Sequence, residues 1–182
     1  KILIGGGAPI SIQSMTNTKT HDAPATIEQI QRLAAEGCDI VRVAVPDMAA
    51  AESLGKIISA VDGPIIADIH FDYKLALESI AQGVAALRLN PGNIGGAAHV
   101  KEVVKSARAA KIPIRIGVNA GSLSRKLLQK YGGATAEALV ESALEHVKIL
   151  EAEDFFDIKI SLKSHDVPLT LAVYRLISKQ TN

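Results

Sequence analysis

The sequence of 182 residues is one domain's worth of chain, and hydrophobic residues at 48% exclude a disordered segment. Basic and acidic side chains number 20 and 19, a net charge of +1 that excludes the global field of a nucleic-acid binder; aromatics at 3% without tryptophan leave few platforms for base stacking. One cysteine, Cys38, excludes an internal disulfide and any thiolate cluster held by this chain alone, and no apolar run reaches the roughly 18 residues of a membrane span.

Short apolar runs alternate with longer amphipathic ones from end to end. Gly5-Gly6-Gly7 reads as a turn before the first run. Strands are expected at Ile10–Met15, Ile40–Val45, Pro64–Ile69, Ala86–Leu89, Ile114–Val118 and Ile158–Leu162. These runs are rich in Val and Ile and mostly lack strict alternation, the pattern of strands buried on both faces. Each precedes a stretch dominated by Ala, Leu, Glu and Lys: Pro24–Glu36, Met48–Val61, Lys74–Gln82, Ala97–Ala110, Ala136–Glu151 and Pro168–Lys179. Pro24 suits a first helical turn; Gly37 and Gly83 suit helix ends. Cys38, between Gly37 and the second strand, reads as a buried packing residue.

Six strand–helix units in succession imply an α/β fold with a parallel sheet. A TIM (β/α)₈ barrel and an open doubly wound sheet compete. The polar residues favour the barrel, because they fall at the C-terminal ends of strand after strand, where a barrel gathers all its loops around one mouth. No G-x-G-x-x-G follows the first strand. A full barrel takes roughly 250 residues, so residues 1–182 are expected to form a barrel truncated at about six units, stopping at Asn182 before a seventh strand. The chain starts at Lys1 without a signal-peptide pattern, and the expected setting is the cytoplasm or a plastid stroma.

Several of these strand-end residues are suited to chemistry. Arg42, Arg88 and Arg115 each interrupt an apolar strand, and a buried guanidinium is costly without an anionic partner. Two partners remain open on the residues alone: carboxylates such as Asp68, or a phosphate or diphosphate, which the planar guanidinium fits well. Asp68 and His70 lie two apart at a strand end and share a side, which suits acid–base or hydrogen-bonding work; as metal ligands they lack a third member, and no metal is expected. Asn90-Pro91-Gly92-Asn93-Ile94-Gly95-Gly96 and Gly117-Val118-Asn119-Ala120-Gly121-Ser122 are glycine-bearing loops. Their amides, with Asn90, Asn93, Asn119 and Ser122, could reach phosphate or sugar oxygens, although Asn, Pro and Gly are also ordinary turn residues. Lys163 shares a face with Lys159 and Ser161 and lies nearest the mouth, where it would bind an anion or face solvent. Asp72, Lys74, Lys101, Glu102, Lys105, Glu141 and Glu145 read as solvated helix charge.

Five stretches, in order, resemble the IspG (GcpE) type of 4-hydroxy-3-methylbut-2-enyl diphosphate synthase: Ile12-Gln13-Ser14-Met15-Thr16-Asn17-Thr18, Asp39-Ile40-Val41-Arg42-Val43, Ala67-Asp68-Ile69-His70-Phe71-Asp72-Tyr73, Arg88 to Gly95, and Pro113 to Leu123. The resemblance runs over nearly the whole chain. It implies a TIM barrel followed by a smaller domain with a [4Fe-4S] cluster, and reductive ring opening and dehydration of 2-C-methyl-D-erythritol 2,4-cyclodiphosphate in the methylerythritol phosphate route to isoprenoids. It implies ferredoxin or flavodoxin as electron donor, and a homodimer in which one subunit's cluster caps the partner's barrel. It assigns Arg42, Arg88 and Arg115 to the diphosphate. Asn90, Asn93, Asn119 and Lys163 would contact phosphate or sugar oxygens, and Asp68 and His70 the carbon skeleton. The departures are the missing cluster cysteines, the last two strands and the acidic site residue beyond them, so this stretch alone is expected to be inactive. A pterin-binding barrel of the dihydropteroate synthase or methyltransferase kind, and a non-enzymatic barrel fragment, are the alternatives.

Overall fold

In a computed structural model describing residues 2–181, six strands form one all-parallel sheet in chain order: β1 (Gln13–Met15), β2 (Ile40–Ala44), β3 (Ile65–Asp68), β4 (Ala86–Leu89), β5 (Ile114–Asn119) and β6 (Ile158–Lys163). Lys1 and Asn182, on which the expectation of an incomplete chain rested, lie outside the described residues. The helices are α1 (Ala23–Ala35), α2 (Met48–Ser59), α3 (Tyr73–Ala81), α4 (Ala97–Ala110), α5 (Arg125–Tyr131), α6 (Ala136–Glu151) and α7 (Val167–Ile177). The expected strand–helix rhythm is therefore present, with α4, α6 and β4 at the expected bounds.

The sheet is curled. In a flat sheet, strands four places apart would be separated by roughly 19 Å at about 4.8 Å per strand. Yet a guanidinium nitrogen of Arg115 on β5 donates directly to the Gln13 side-chain oxygen on β1 at 2.7 Å. Facing side chains can meet this way only if the strands wrap around a common interior, as in a barrel.

The core explains why the apolar runs do not alternate. Val41, Val43, Ile65, Ala67, Leu87, Leu89, Ile114 and Ile116 pack against α-helical Ala50, Leu54, Ala76, Val103, Ala107, Leu139 and Ala143. Ile40, Ile66 and Ala86 form a separate small cluster with Ile2 against it. Both faces of the strands are thus buried, as a parallel sheet demands. Helix starts are capped by side chains: Asp22, Asp47, Asp72, Ser124, Thr135 and Asp166 each accept a backbone amide in the first turn. Asp72 is exposed, as read from the sequence, and caps α3 besides. Glu141 departs from the reading of solvated charge, being half-buried and bonded to Lys130 and Tyr131.

Three further differences have physical reasons. β1 is three residues long, because Ile10 and Ile12, 97% and 59% exposed, lie at the open sheet edge. Helix α5 escaped notice because a seven-residue basic segment carries too little apolar periodicity to stand out. Cys38 is half-buried, not fully buried, with its sulfur 3.2 Å from the Ile40 carbonyl. At the other edge of the sheet Phe156 is 69% exposed.

Candidate functional site

β2, β3, β4 and β5 each deliver a charged residue to the same end of the barrel. The strand register sets Ala44 beside Asp68, Asp68 beside Arg88, and Arg88 beside Arg115. At this end lies a cavity of about 410 Å³. Residues singled out in the sequence line it, Arg42, Asp68, His70, Arg88, Asn90, Asn93, Arg115, Asn119, Ser122 and Lys163, together with Ile69, Phe71 and Ser161.

Asp68 is the hub. Its carboxylate lies 3.1 Å from Arg88, 3.5 Å from Arg42 and 3.8 Å from the His70 imidazole, and its side chain is only 5% exposed. Arg42 also donates to the Met15 sulfur at 3.3 and 3.2 Å, and Arg88 to the Gly117 carbonyl at 3.0 Å. The carboxylate partner considered for the arginines is thus present for two of them. Among the described residues, no carboxylate lies within ion-pairing distance of Arg115. Burial first, and then the nearby Arg42 and Arg88 charges, pull its pKa below the ordinary value, against an opposing contribution from Tyr174. Three guanidinium groups and Lys163 therefore face one carboxylate, and the cavity carries a surplus of positive charge.

The amides divide by role. Asn90 turns its side-chain oxygen inward to accept the Gly117 amide at 3.0 Å, and so ties the loop after β4 to β5. Asn93 and Asn119 are exposed at the mouth. Ser122 donates to the Asn119 carbonyl at 3.1 Å, which fixes the turn after β5. The Asn17-Thr18 segment after β1 does not reach the cavity. Both its backbone amides donate to Gln29 of α1, and Asn17 accepts from Gln29 in return at 2.7 Å.

The loop Asn90–Gly96 rests on two imidazoles that the sequence gave no reason to single out. His146 of α6 accepts the Gly92 amide through Nδ1 at 3.3 Å, and a Cβ on Gly92 would come within 2.8 Å of its ring. His99 of α4 stacks on Tyr73 with ring centres 3.9 Å apart, and a Cβ on Gly95 would lie 2.3 Å from its Nδ1. Burial lowers the His146 pKa from its usual 6.5, with Glu145 opposing weakly. The folded protein holds His146 neutral at a pH where the unfolded chain has begun to protonate it. Its contribution is therefore complete above pH 6.5 and is lost as the pH falls through the lowered folded value. His146→Asn, whose side-chain oxygen can replace Nδ1 as acceptor, is expected to flatten the drop in urea midpoint between pH 7.5 and 5.5; an unchanged drop would place its origin elsewhere.

Among the described residues, no three His, Cys, Asp or Glu side chains form a group that could hold a metal ion, and no helix is long and apolar enough to cross a membrane.

The fold and this mouth define a TIM-barrel domain with a cationic pocket at the C-terminal ends of its strands. The GcpE TIM-barrel domain family matches residues 1–182, and the chain belongs to it. It is 63% identical over 97% of its length to the Geobacter sulfurreducens 4-hydroxy-3-methylbut-2-en-1-yl diphosphate synthase (flavodoxin), of which it covers 50%. The enzyme of the same name from Clostridium acetobutylicum is 58% identical over the whole chain, which covers 52% of it. The chain thus spans about half the length of the curated relatives it matches. Among solved structures, Yersinia pestis dihydropteroate synthase with a pterine-sulfa conjugate superposes with a TM-score of 0.64 at 8% identity, over 93% of this chain and 68% of that one. At that identity the likeness shows the barrel fold alone.

Proposed function

We propose that this chain is the substrate-binding barrel of a 4-hydroxy-3-methylbut-2-enyl diphosphate synthase, the enzyme that reductively opens and dehydrates 2-C-methyl-D-erythritol 2,4-cyclodiphosphate on the methylerythritol phosphate route to isoprenoids. The observation that carries the reading is the surplus of cations in one cavity, three arginines and a lysine against one carboxylate, on a chain of the GcpE family. A diphosphate supplies the missing negative charge.

Opening the ring breaks a carbon–oxygen bond and turns a bridging oxygen into a terminal one, so negative charge grows on the diphosphate as the reaction proceeds. Cations already fixed in place favour that change more than they favour the cyclic substrate. Overall, two electrons and two protons enter and one water leaves. In this reading Arg42, Arg88, Arg115 and Lys163 hold the diphosphate, and Asn93 and Asn119 reach its oxygens or the sugar hydroxyls. Asn90 acts through the Gly117 backbone. Asp68, with both oxygens engaged by guanidinium groups, orients Arg42 and Arg88, whereas His70, half exposed beside it, is the better placed to deliver a proton.

The residues present do not fit the iron–sulfur cluster that the family implies. Such a cluster takes about four thiolates, and Cys38 is the single cysteine. The cluster, and a domain to hold it, belong to parts of the enzyme outside residues 1–182. Flavodoxin as electron donor follows the names of the relatives. A homodimer and a cytoplasmic setting complete the proposal.

The test uses the full-length gene product, reconstituted without oxygen and supplied with reduced flavodoxin and the cyclic diphosphate. Phosphorus NMR should show the linear diphosphate forming, and Arg115→Met should lower kcat/KM by about 100-fold, the scale of one or two lost charge-assisted hydrogen bonds. No conversion, with tight binding of a reduced pterin instead, would overturn the proposal.

A further inference from the structure

Arg115 differs from Arg42 and Arg88 in what holds it. Those two share the Asp68 carboxylate. Arg115 instead donates through a terminal nitrogen to the Gln13 side-chain oxygen at 2.7 Å, and its Nε is buried without a hydrogen-bond partner. A half-buried guanidinium beside two others is a place where a carboxylate would be expected, since opposite charge relieves both burial and repulsion. β1 offers an amide. Gln13 is not part of the cavity wall; it reaches Arg115 across the barrel interior, from a strand 102 residues earlier in the sequence.

An amide oxygen and a carboxylate oxygen accept the same hydrogen bond, but only the carboxylate cancels the charge of the donor. We infer that Gln13 is a positioning residue that fixes Arg115 with a neutral hydrogen bond, so that the guanidinium meets an anionic ligand oriented and with its charge uncancelled. The mouth then divides its labour. Asp68 holds two arginines in place and offsets part of their charge, while Gln13 holds the third and offsets none. The inference rests on the diphosphate reading above and adds to it the residue that keeps one arginine at full strength.

The discriminating substitution is Gln13→Glu, which keeps the acceptor and adds the charge. Inorganic pyrophosphate is titrated calorimetrically into the full-length protein carrying Gln, Glu, Ala or Met at position 13, and steady-state kinetics are run on the Glu variant. The Glu variant is expected to bind pyrophosphate about 10-fold or more weaker than wild type, with kcat/KM lowered and part of the loss in kcat, because the charge of Arg115 counts for more as the ring opens; Ala and Met, which merely free Arg115, should each cost a few-fold, on the scale of one hydrogen bond. A contact that serves packing alone gives the opposite order, with Glu closest to wild type, and that order would overturn the inference. If the Glu variant does not fold, Met decides: it has similar length and no acceptor, and unweakened binding there would also overturn the inference. Failure of the wild type itself to bind pyrophosphate would sink the diphosphate reading, and this inference with it. The two failures are distinct, one lying in the wild type and the other in the order of the variants.

Discussion

Asp68→Asn is expected to lower the free energy of unfolding by about 3 kcal/mol in anion-free buffer, the usual scale for removing one partner of a buried ion pair. Asparagine matches aspartate in size, so no cavity forms and the effect is electrostatic. The Asp68 side chain is 5% exposed and that of Arg88 11%, so Arg88 cannot recover its lost partner from water. Arg42 and Arg115 would add repulsion that nothing offsets. The same loss should turn pyrophosphate into a stronger stabiliser, because in the variant it would replace the negative charge that the cavity has lost. Binding to the folded state alone raises stability by RT ln(1 + [L]/Kd). Urea melts with and without saturating pyrophosphate should therefore show most of the deficit recovered in the variant and a smaller gain in the wild type. An equal deficit with and without the anion would mean that Asp68 braces the fold without governing the charge of the site.

Gly117→Ala should be nearly as damaging although it adds a single methyl group. A Cβ at Gly117 would lie 2.4 Å from Nε of Arg88 and 2.5 Å from its Nη2. That guanidinium is held by the Gly117 carbonyl at 3.0 Å and by Asp68 at 3.1 Å, so it cannot move aside without breaking both bonds. Glycine inside a strand ordinarily costs roughly 0.5–1 kcal/mol relative to alanine. Without Arg88 the substitution would thus be mildly stabilising. With Arg88 in place it is expected to destabilise by about 2 kcal/mol, at the middle of the range for overpacking, and to weaken pyrophosphate binding by about 10-fold as one guanidinium is displaced. The double variant Gly117→Ala, Arg88→Met separates the causes. Adding the alanine to Arg88→Met should cost almost nothing, and an undiminished penalty there would mean that the glycine serves the backbone and not the arginine.

Much of this architecture was legible in the residues. Strands β2, β3, β5 and β6 announced themselves as Val- and Ile-rich runs, and β4 as a short apolar one, because parallel strands are buried on both faces; helices α1 and α3 had ends marked by Pro24, Gly37 and Gly83. The arginines stood out for a related reason, since a cation within an apolar strand has to be explained. β1 was less legible: a strand at an open edge is not buried, and the apolar Ile10 and Ile12 lie beside it without joining it. Nothing local to the chain could say which anion each arginine meets. That depends on contacts between strands 20 or more residues apart, as with Arg88 and Asp68, or 102 apart, as with Arg115 and Gln13. His146 and His99 escaped notice for the same reason. Each looks like an ordinary helix residue until the fold brings the glycines of the loop after β4 against its ring.

The central claim is that the surplus cations of this mouth hold a diphosphate. A crystal structure of the full-length protein with the cyclic diphosphate bound tests it most directly. The account expects both phosphoryl groups in the mouth, hydrogen-bonded to Arg42, Arg88 and Arg115, with Asp68 still between Arg42 and Arg88 and Gln13 still on Arg115. Phosphoryl groups bound away from these arginines, or turned outward with the carbon skeleton against them, would contradict it.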